Sequence, residues 1–429
     1  MILEKQNIDI DEKERAIACS VKRKGSNREE ALEDLEELVF LAETAGAEVV
    51  HKIYQELPKI NSATVIGKGK LQEIKQIVKE DNIKLIIFDD NLSPAQVNNL
   101  EKELNIKVTD RSGIILDIFA TRAKTNEAKT QVELAQLQYI LPRLTRMWTH
   151  LSKQYGGIGT RGPGETQIET DRRIIRTRIQ TLKEKLLEIE QQKREQRKKR
   201  SDIPQFALLG YTNAGKSTLM NTITDANVYV ENKLFATLDT TVRQFTLPSG
   251  QKALISDTVG FIKKLPPNLV ASFKSTLMEA IDADVLLHIV DVSHKLFRDQ
   301  INTVNKTLEE LKINEKPTIL VFNKVDLLDD VSIHKALKNE FPDSIFISAQ
   351  RGINIENLLT LMQEKYNRYN NIFEINLPYS KSDMISLIYE SYEVINRQDS
   401  DDGMIFKIKI PVEKEKYFFN KFSILLNVK

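Results

Sequence analysis

Cysteine is almost missing from this chain: Cys19 is the single one in 429 residues. One thiol excludes an internal disulfide framework and a cysteine-based zinc site, and a reducing cytoplasm is the simplest compartment. Histidine is scarce as well, and the five present show no metal-ligand spacing. No stretch approaches the ~18 uninterrupted apolar residues of a membrane-spanning helix. The start, MILEKQNIDIDEKERA, has no basic segment leading into an apolar run, so a signal peptide is not expected. Net charge is also nearly absent, at +1, but it is unevenly spread. Residues 111–200 hold 20 Lys and Arg against 10 Asp and Glu, and QQKREQRKKR at 191–200 has six basic residues and one acidic. Such a run suits a phosphate backbone, or simply a solvated helix face.

Hydrophobic residues make up 41% and charged ones 29%, enough for packed cores in a chain long enough for two to four domains. The first part, residues 1–120, alternates in βα fashion. Helices are predicted at 28–45, with Leu32, Leu35, Leu38, Val39 and Ala42 on one face, at 70–80, and from Ser93-Pro94 to 104. Strands are predicted at 47–55, 85–90 and 106–109, giving a small α/β domain with a parallel sheet. From about Glu127 the pattern becomes long helix, which Pro142 should kink or break. The segment GGIGTRGPGETQIETDRR at 156–173 follows, with five of the chain's 16 glycines packed into 156–164, and it is not expected to be regular helix. A second long helix over about 169–199 completes a helical hairpin across 121–200. Residues 201–370 alternate strands FALLG, ALIS, VLLHIVDV, TILVF and SIFIS with helices, as a doubly wound sheet requires. A small α+β domain over 371–429 holds INLP, EVINRQ and MIFKIKIP around a helix at 383–392.

Four short signatures fall in order within 201–370: GYTNAGKST from Gly210, DTVG from Asp257, NKVD from Asn323, and Ser348-Ala349. The first fits G-x-x-x-x-G-K-[ST], whose backbone N–H groups cradle phosphates. Lys216 is placed to reach the β- and γ-phosphates and Ser217 to ligate Mg²⁺. The carboxylate of Asp326 can accept two hydrogen bonds from guanine N1–H and the 2-amino group. Adenine offers no such pair, so an ATP-specific enzyme is disfavoured. Asp257 follows an apolar strand and suits Mg²⁺ held through water, while the Gly260 N–H suits the γ-phosphate. The stretch NKLFATLDTTVRQF between the first two motifs must supply the γ-phosphate-sensing loop. Thr237, Thr240 and Thr241 each have the chemistry to complete the metal shell, and spacing does not choose among them. Where many GTPases carry the glutamine that orients the attacking water, this chain has Phe261. No catalytic residue is therefore assigned, and slow unaided turnover is expected.

The glycine-dense tip is far longer than a turn between helices needs. Gln154, Tyr155, Arg161, Glu165, Gln167, Arg172 and Arg173 decorate it with polar and planar groups suited to structured RNA. A plain loop and an anion-binding nest for nucleotide are the alternatives.

Taken together, WTHLSKQYGGIGTRGPGETQIETDRR, GYTNAGKSTLMN, LFATLDTT, DTVGFI and NKVD resemble the HflX GTPases over roughly residues 21–369. The resemblance implies a cytoplasmic, Mg²⁺-dependent GTPase of the translation-factor class that binds the large (50S) ribosomal subunit. It implies a hairpin tip that approaches the peptidyl transferase centre, ribosome splitting or rescue under stress, and hydrolysis stimulated by the subunit. The GTP-binding positions it implies are Gly210, Tyr211, Thr212, Asn213, Ala214, Gly215, Lys216, Ser217 and Thr218, then Phe235, Ala236, Thr237, Leu238 and Asp239 as the first switch. Asp257, Thr258, Val259 and Gly260 form the second contact, Asn323, Lys324, Val325 and Asp326 the base site, and Ser348 and Ala349 meet guanine by backbone. Ser217 and Thr237 are the implied Mg²⁺ ligands. Gly156, Gly157, Gly159, Arg161, Gly162, Pro163 and Gly164 are the implied rRNA contacts. Thr240 departs from the proline that the family commonly carries after FATLD, which should loosen the switch without removing a ligand. A monomer is expected, with peripheral membrane association left open. The competing readings are a ribosome-biogenesis GTPase and a GTP-controlled adaptor in which hydrolysis is incidental.

Overall fold

From Glu14 to Ile140, apolar runs become strands that alternate with helices, most of them side-chain capped. The computed structural model describes residues 13–144, 163–198, 203–224, 234–235, 237–238, 240–264, 279–328, 331–381, 384–400, 403–411, 415, 418–419 and 422. Two compact units are present. One is Met1–Leu187 with Asn232–Ala236 and Leu265–Phe273; the other is Glu188–Glu231, Thr237–Lys264 and Lys274–Lys429.

The first unit is built on a four-stranded parallel sheet of β1 (Glu14–Arg23), β2 (Ala47–Leu57), β3 (Leu85–Phe88) and β4 (Lys107–Asp110), in the order β2-β1-β3-β4. β1 was not foreseen. Its run Ala16 to Val21 is buried on both faces and so lacks the alternation that marks a half-exposed strand. Cys19 lies within it, and burial pushes its thiol up to about 12, which leaves it a packing residue rather than a nucleophile. The helix Pro94–Leu104 begins where the Ser93-Pro94 signal put it, with a reciprocal Ser93–Gln96 capping box. The helix Asn126–Ile140 stops just before Pro142, as the ring's clash with the preceding turn requires.

The second long helix runs Pro163–Lys198 and so starts earlier than expected. Residues 163–173 are helical, against the expectation that 156–173 would not be. Proline at the first helical position loses no intrahelical bond, and a single glycine beside it costs only about 1 kcal/mol. Arg178 grips Glu133 through two bonds of 2.7 and 3.0 Å, and Lys185 reaches Asn126 at 3.2 Å. One number rises as the other falls, so the two helices run antiparallel. Gly156, Gly157, Gly159, Arg161 and Gly162 lie outside the described residues, as do the side chains of Pro163 and of residues 194–200 in the basic run.

The second unit contains a six-stranded sheet: β5 (Gln205–Gly210), β6 (Thr241–Thr246), β7 (Lys252–Asp257), β8 (Val285–Asp291), β9 (Thr318–Asn323) and β10 (Ile345–Phe346). Their order is β10-β9-β8-β5-β7-β6, and every pair is parallel except β6–β7. Phe206, Leu208, Ile255, Leu287, Ile289, Ile319 and Val321 form its core. Because β5, β7, β9 and β10 are parallel, their carboxyl ends share one sheet edge, and all four signatures begin there. This is the expected α/β, doubly wound architecture. A smaller antiparallel sheet follows, β11 (Asn370–Pro378), β12 (Glu393–Ser400) and β13 (Gly403–Pro411), in the order β11-β13-β12. Lys409 of β13 pairs at 3.1 Å with Asp284, whose other oxygen accepts from the Gln205 N–H. Both partners precede their strands or open them, so this sheet is held at the edge opposite the signature loops.

Candidate active site

β5 ends at Gly210 with φ +148, and a Cβ there would collide with the Ile289 carbonyl of β8. Gly215, at φ +93, lies so close to Asn323 Nδ2 that a side chain would displace it. These two glycines let the phosphate-loop backbone curl between two neighbouring strands before the helix Lys216–Thr224 begins. Asn213, also at positive φ, is exposed, whereas Tyr211, Thr212 and Ala214 are buried and Thr218 is half-buried.

Lys216 is almost fully enclosed, and its Nζ donates to the carbonyls of Gly210 (3.1 Å) and Tyr211 (2.9 Å). Burial pulls its ammonium down to about 8, with the Asp257 carboxylate opposing. Burial raises the Asp257 carboxyl in turn, against Lys216 and hydrogen bonds from Ser217 and Thr237. The Ser217 hydroxyl donates to Asp257 Oδ2 at 2.6 Å and lies 2.7 Å from Thr237 Oγ1. Asp257 Oδ1 is buried without a partner among the described residues. Three oxygens thus converge beside a buried lysine, with a lone pair left over. Hard oxygen donors of this kind suit a small divalent cation that takes its remaining ligands from phosphate and water. Of the three threonines that spacing left open, Thr237 is the one brought into this cluster; Thr241 instead opens β6. Leu238 is buried, and Leu234 and Phe235 are buried with the first unit, where the Phe235 ring meets Phe119 edge to face at 4.6 Å. Ala236 and Asp239 lie outside the described residues.

The DTVG turn is pressed against the phosphate loop. Thr258 Oγ1 donates to the Leu208 carbonyl at 2.6 Å, and Val259 is buried. A Cβ on Gly260 would stand within 3.0 Å of Thr212 and of Lys216 Nζ, so only glycine fits. The Phe261 N–H donates to the Gly210 carbonyl at 3.0 Å, and its carbonyl accepts from the Thr212 N–H at 2.8 Å. Its ring is buried.

On the base side, Asn323 acts as a brace. Its Nδ2 donates to the Ala214 carbonyl and its Oδ1 accepts from the Ala349 N–H, both at 2.9 Å, tying three signatures together. The Ser348 N–H is engaged with the Ile353 carbonyl. Both backbone donors expected to face guanine are therefore already bonded within the protein, so a base must share or displace those bonds. Lys324 sits at φ 66 and its ammonium pairs with Asp291 Oδ2 at 2.6 Å. Asp291 Oδ1 accepts from the Ser293 N–H and hydroxyl, which fixes the carboxylate. Val325 opens a 3-10 turn that presents Asp326, whose side chain is 8% exposed and pairs with Arg351 at 3.3 Å. Asp291 and Arg351 were not singled out from the sequence, because each acts through a charge partner that only the fold supplies.

Three family models match in succession: "GTP-binding GTPase N-terminal" over residues 32–120, "GTP-binding GTPase Middle Region" over 122–200, and "50S ribosome-binding GTPase" over 205–324. A GTPase HflX from Flavobacterium psychrophilum is 46% identical, covering 94% of this chain and 100% of its own. A GTPase HflX from Alkalihalophilus pseudofirmus is 50% identical over 80% of each chain. A solved GTP-binding protein from the archaeon Sulfolobus solfataricus in complex with GDP is 26% identical, with a TM-score of 0.44 over 82% of this chain and 99% of that one.

Proposed function

This chain belongs to the HflX family of GTPases, and from that premise we propose that it hydrolyses GTP on the large ribosomal subunit and uses the nucleotide state to split or rescue stalled ribosomes. The observation that carries the reading is the cluster of Ser217, Thr237 and Asp257 beside Lys216, coupled through Asn323 to Lys324 and Asp326. Ser217 and Thr237 would hold Mg²⁺ when nucleotide is bound, and the metal would supply charge neutralisation to the phosphoryl groups. Lys216 already has its ammonium directed at backbone carbonyls, so phosphates exchange those bonds for stronger charge-assisted ones. Asp326 reads N1–H and the 2-amino group, and Lys324, steadied by Asp291, lies over the base. The remaining GTP-binding positions take the roles that the family pattern gives them.

Thr237 hydrogen-bonds with Ser217, so a γ-phosphate that engages this pair would be sensed by the segment that carries Thr237. The glycine tip, Gly156 to Gly164, contacts rRNA in this proposal, and the division 1–120, 121–200, 201–370 and 371–429 separates docking hairpin from switch. Phe261 carries no polar group, so turnover is slow alone and is raised by the subunit. The protein works in the cytoplasm as a monomer; among the described residues no helix is long and apolar enough to cross a membrane. Sedimentation of the purified protein with ribosomes tests this. It should travel with the large subunit and deplete intact ribosomes when a non-hydrolysable GTP analogue is present, and not with GDP. Equal sedimentation in both states, or none in either, overturns the proposal.

A further inference from the structure

Thr212 carries a buried hydroxyl in the phosphate loop. The residue is 7% exposed, and its Oγ1 is shut off from solvent without a hydrogen-bond partner among the described residues. A buried hydroxyl in that condition costs stability unless a partner arrives later. Its position says which partner. Thr212 is in the phosphate loop, its Cα and Cγ2 are the nearest atoms to the open face of Gly260, and Lys216 Nζ borders the same point. Its own N–H is held by the Phe261 carbonyl, which fixes the backbone, while rotation about Cα–Cβ is free to exchange Cγ2 for Oγ1 on the Gly260 side. Lys216 serves the β- and γ-phosphates and Gly260 the γ-phosphate. A side chain beside both therefore borders the place of the γ-phosphoryl group.

We infer that Thr212 orients the water that attacks GTP, in place of the glutamine that Phe261 lacks. The water oxygen forms the new bond to the γ-phosphorus while the bond to the β–γ bridging oxygen breaks, and that oxygen leaves on GDP with the electron pair. One water proton passes to a γ-phosphoryl oxygen, giving dihydrogen phosphate, which releases its excess proton to solvent. Thr212 Oγ1 accepts a hydrogen bond from the water and ends in the protonation state in which it began. A neutral hydroxyl is sufficient for this, because phosphoryl transfer is governed by positioning and charge stabilisation rather than by a strong base.

The inference rests on GTP hydrolysis at this site and not on the ribosomal reading, so the test uses the full chain without ribosomes. Single-turnover hydrolysis at saturating GTP is followed for wild type, Thr212→Val, Thr212→Ala and Thr212→Ser, with GDP and GTP dissociation constants measured alongside. Loss of the hydroxyl in Val and Ala should slow hydrolysis about 10- to 100-fold while the dissociation constants stay within about threefold; Ser should stay near wild type. The inference is overturned if either hydroxyl-free variant that still binds GDP hydrolyses GTP within threefold of wild type, or if the loss lies in GTP affinity with the saturated rate unchanged. Ribosomal stimulation of the wild type, read separately, reports on the other proposal.

Discussion

Replacing Asp326 by Asn leaves the shape of the base site intact and exchanges one acceptor oxygen for a donor. The side chain is 8% exposed, so it has little access to water when a base covers it. In the proposed base site the carboxylate would accept two charge-assisted bonds from guanine, each worth about 1.5–3 kcal/mol. Asn keeps the bond from N1–H, loses its charge, and turns an NH₂ toward the guanine 2-amino group, so two donors face each other. The loss should total about 4 kcal/mol, or a thousandfold in the dissociation constant of GDP. The freed Arg351 pair offsets little, because its guanidinium is 66% exposed and such pairs contribute about 0–1 kcal/mol. Xanthine has a carbonyl where guanine has the amine, and so restores both bonds to Asn. Titration calorimetry with GDP and with xanthosine diphosphate reads both effects on one protein. Asp326→Asn should lose GDP and gain xanthosine diphosphate. Retained GDP affinity, or an equal loss of both nucleotides, would refute the reasoning: the first removes Asp326 from base recognition, and the second makes it a folding residue.

Two further outcomes follow from the phosphate side. Burial holds the free-state Lys216 ammonium at about 8, below its ordinary value, and bound phosphates raise it. The charged form binds, so GDP affinity is whole below about pH 8 and is lost as pH rises through that value, by up to about tenfold per unit. Calorimetry from pH 7 to 9 in buffers of different ionisation heat should show proton uptake on binding that grows above pH 8; uptake that is flat across this range contradicts the burial effect. Thr237→Val removes one of the oxygens beside Ser217 and should raise the Mg²⁺ concentration for half-maximal hydrolysis about tenfold, leaving GDP binding without Mg²⁺ unchanged. An unchanged Mg²⁺ titration removes Thr237 from the metal shell.

The phosphate loop was legible because phosphate recognition constrains local chain chemistry. Gly210 and Gly215 stand where backbone conformation and a neighbouring strand forbid a side chain, and such positions survive as sequence pattern. What escaped depends on partners distant in sequence. β1 was missed because a strand buried on both faces has no period, and spacing alone did not separate Thr237, which the family resemblance implied, from Thr240 and Thr241; the Ser217 hydroxyl 20 residues away does. The early start of the helix Pro163–Lys198 was missed for the opposite reason: Pro163 and Gly164 read as breakers, although proline at a first turn breaks nothing. Asn323 was read as part of the base site. Its two bonds make it the brace between phosphate loop and base loops, a role that no local pattern announces.

GTP turnover of the full-length protein, measured with and without purified large ribosomal subunits under the same Mg²⁺ and salt, tests the central claim most directly. Phe261 and the ribosome-binding proposal together predict slow turnover alone and at least about tenfold stimulation by the subunit. Turnover of about ten per second without ribosomes, or a rate that large subunits leave unchanged, would contradict it.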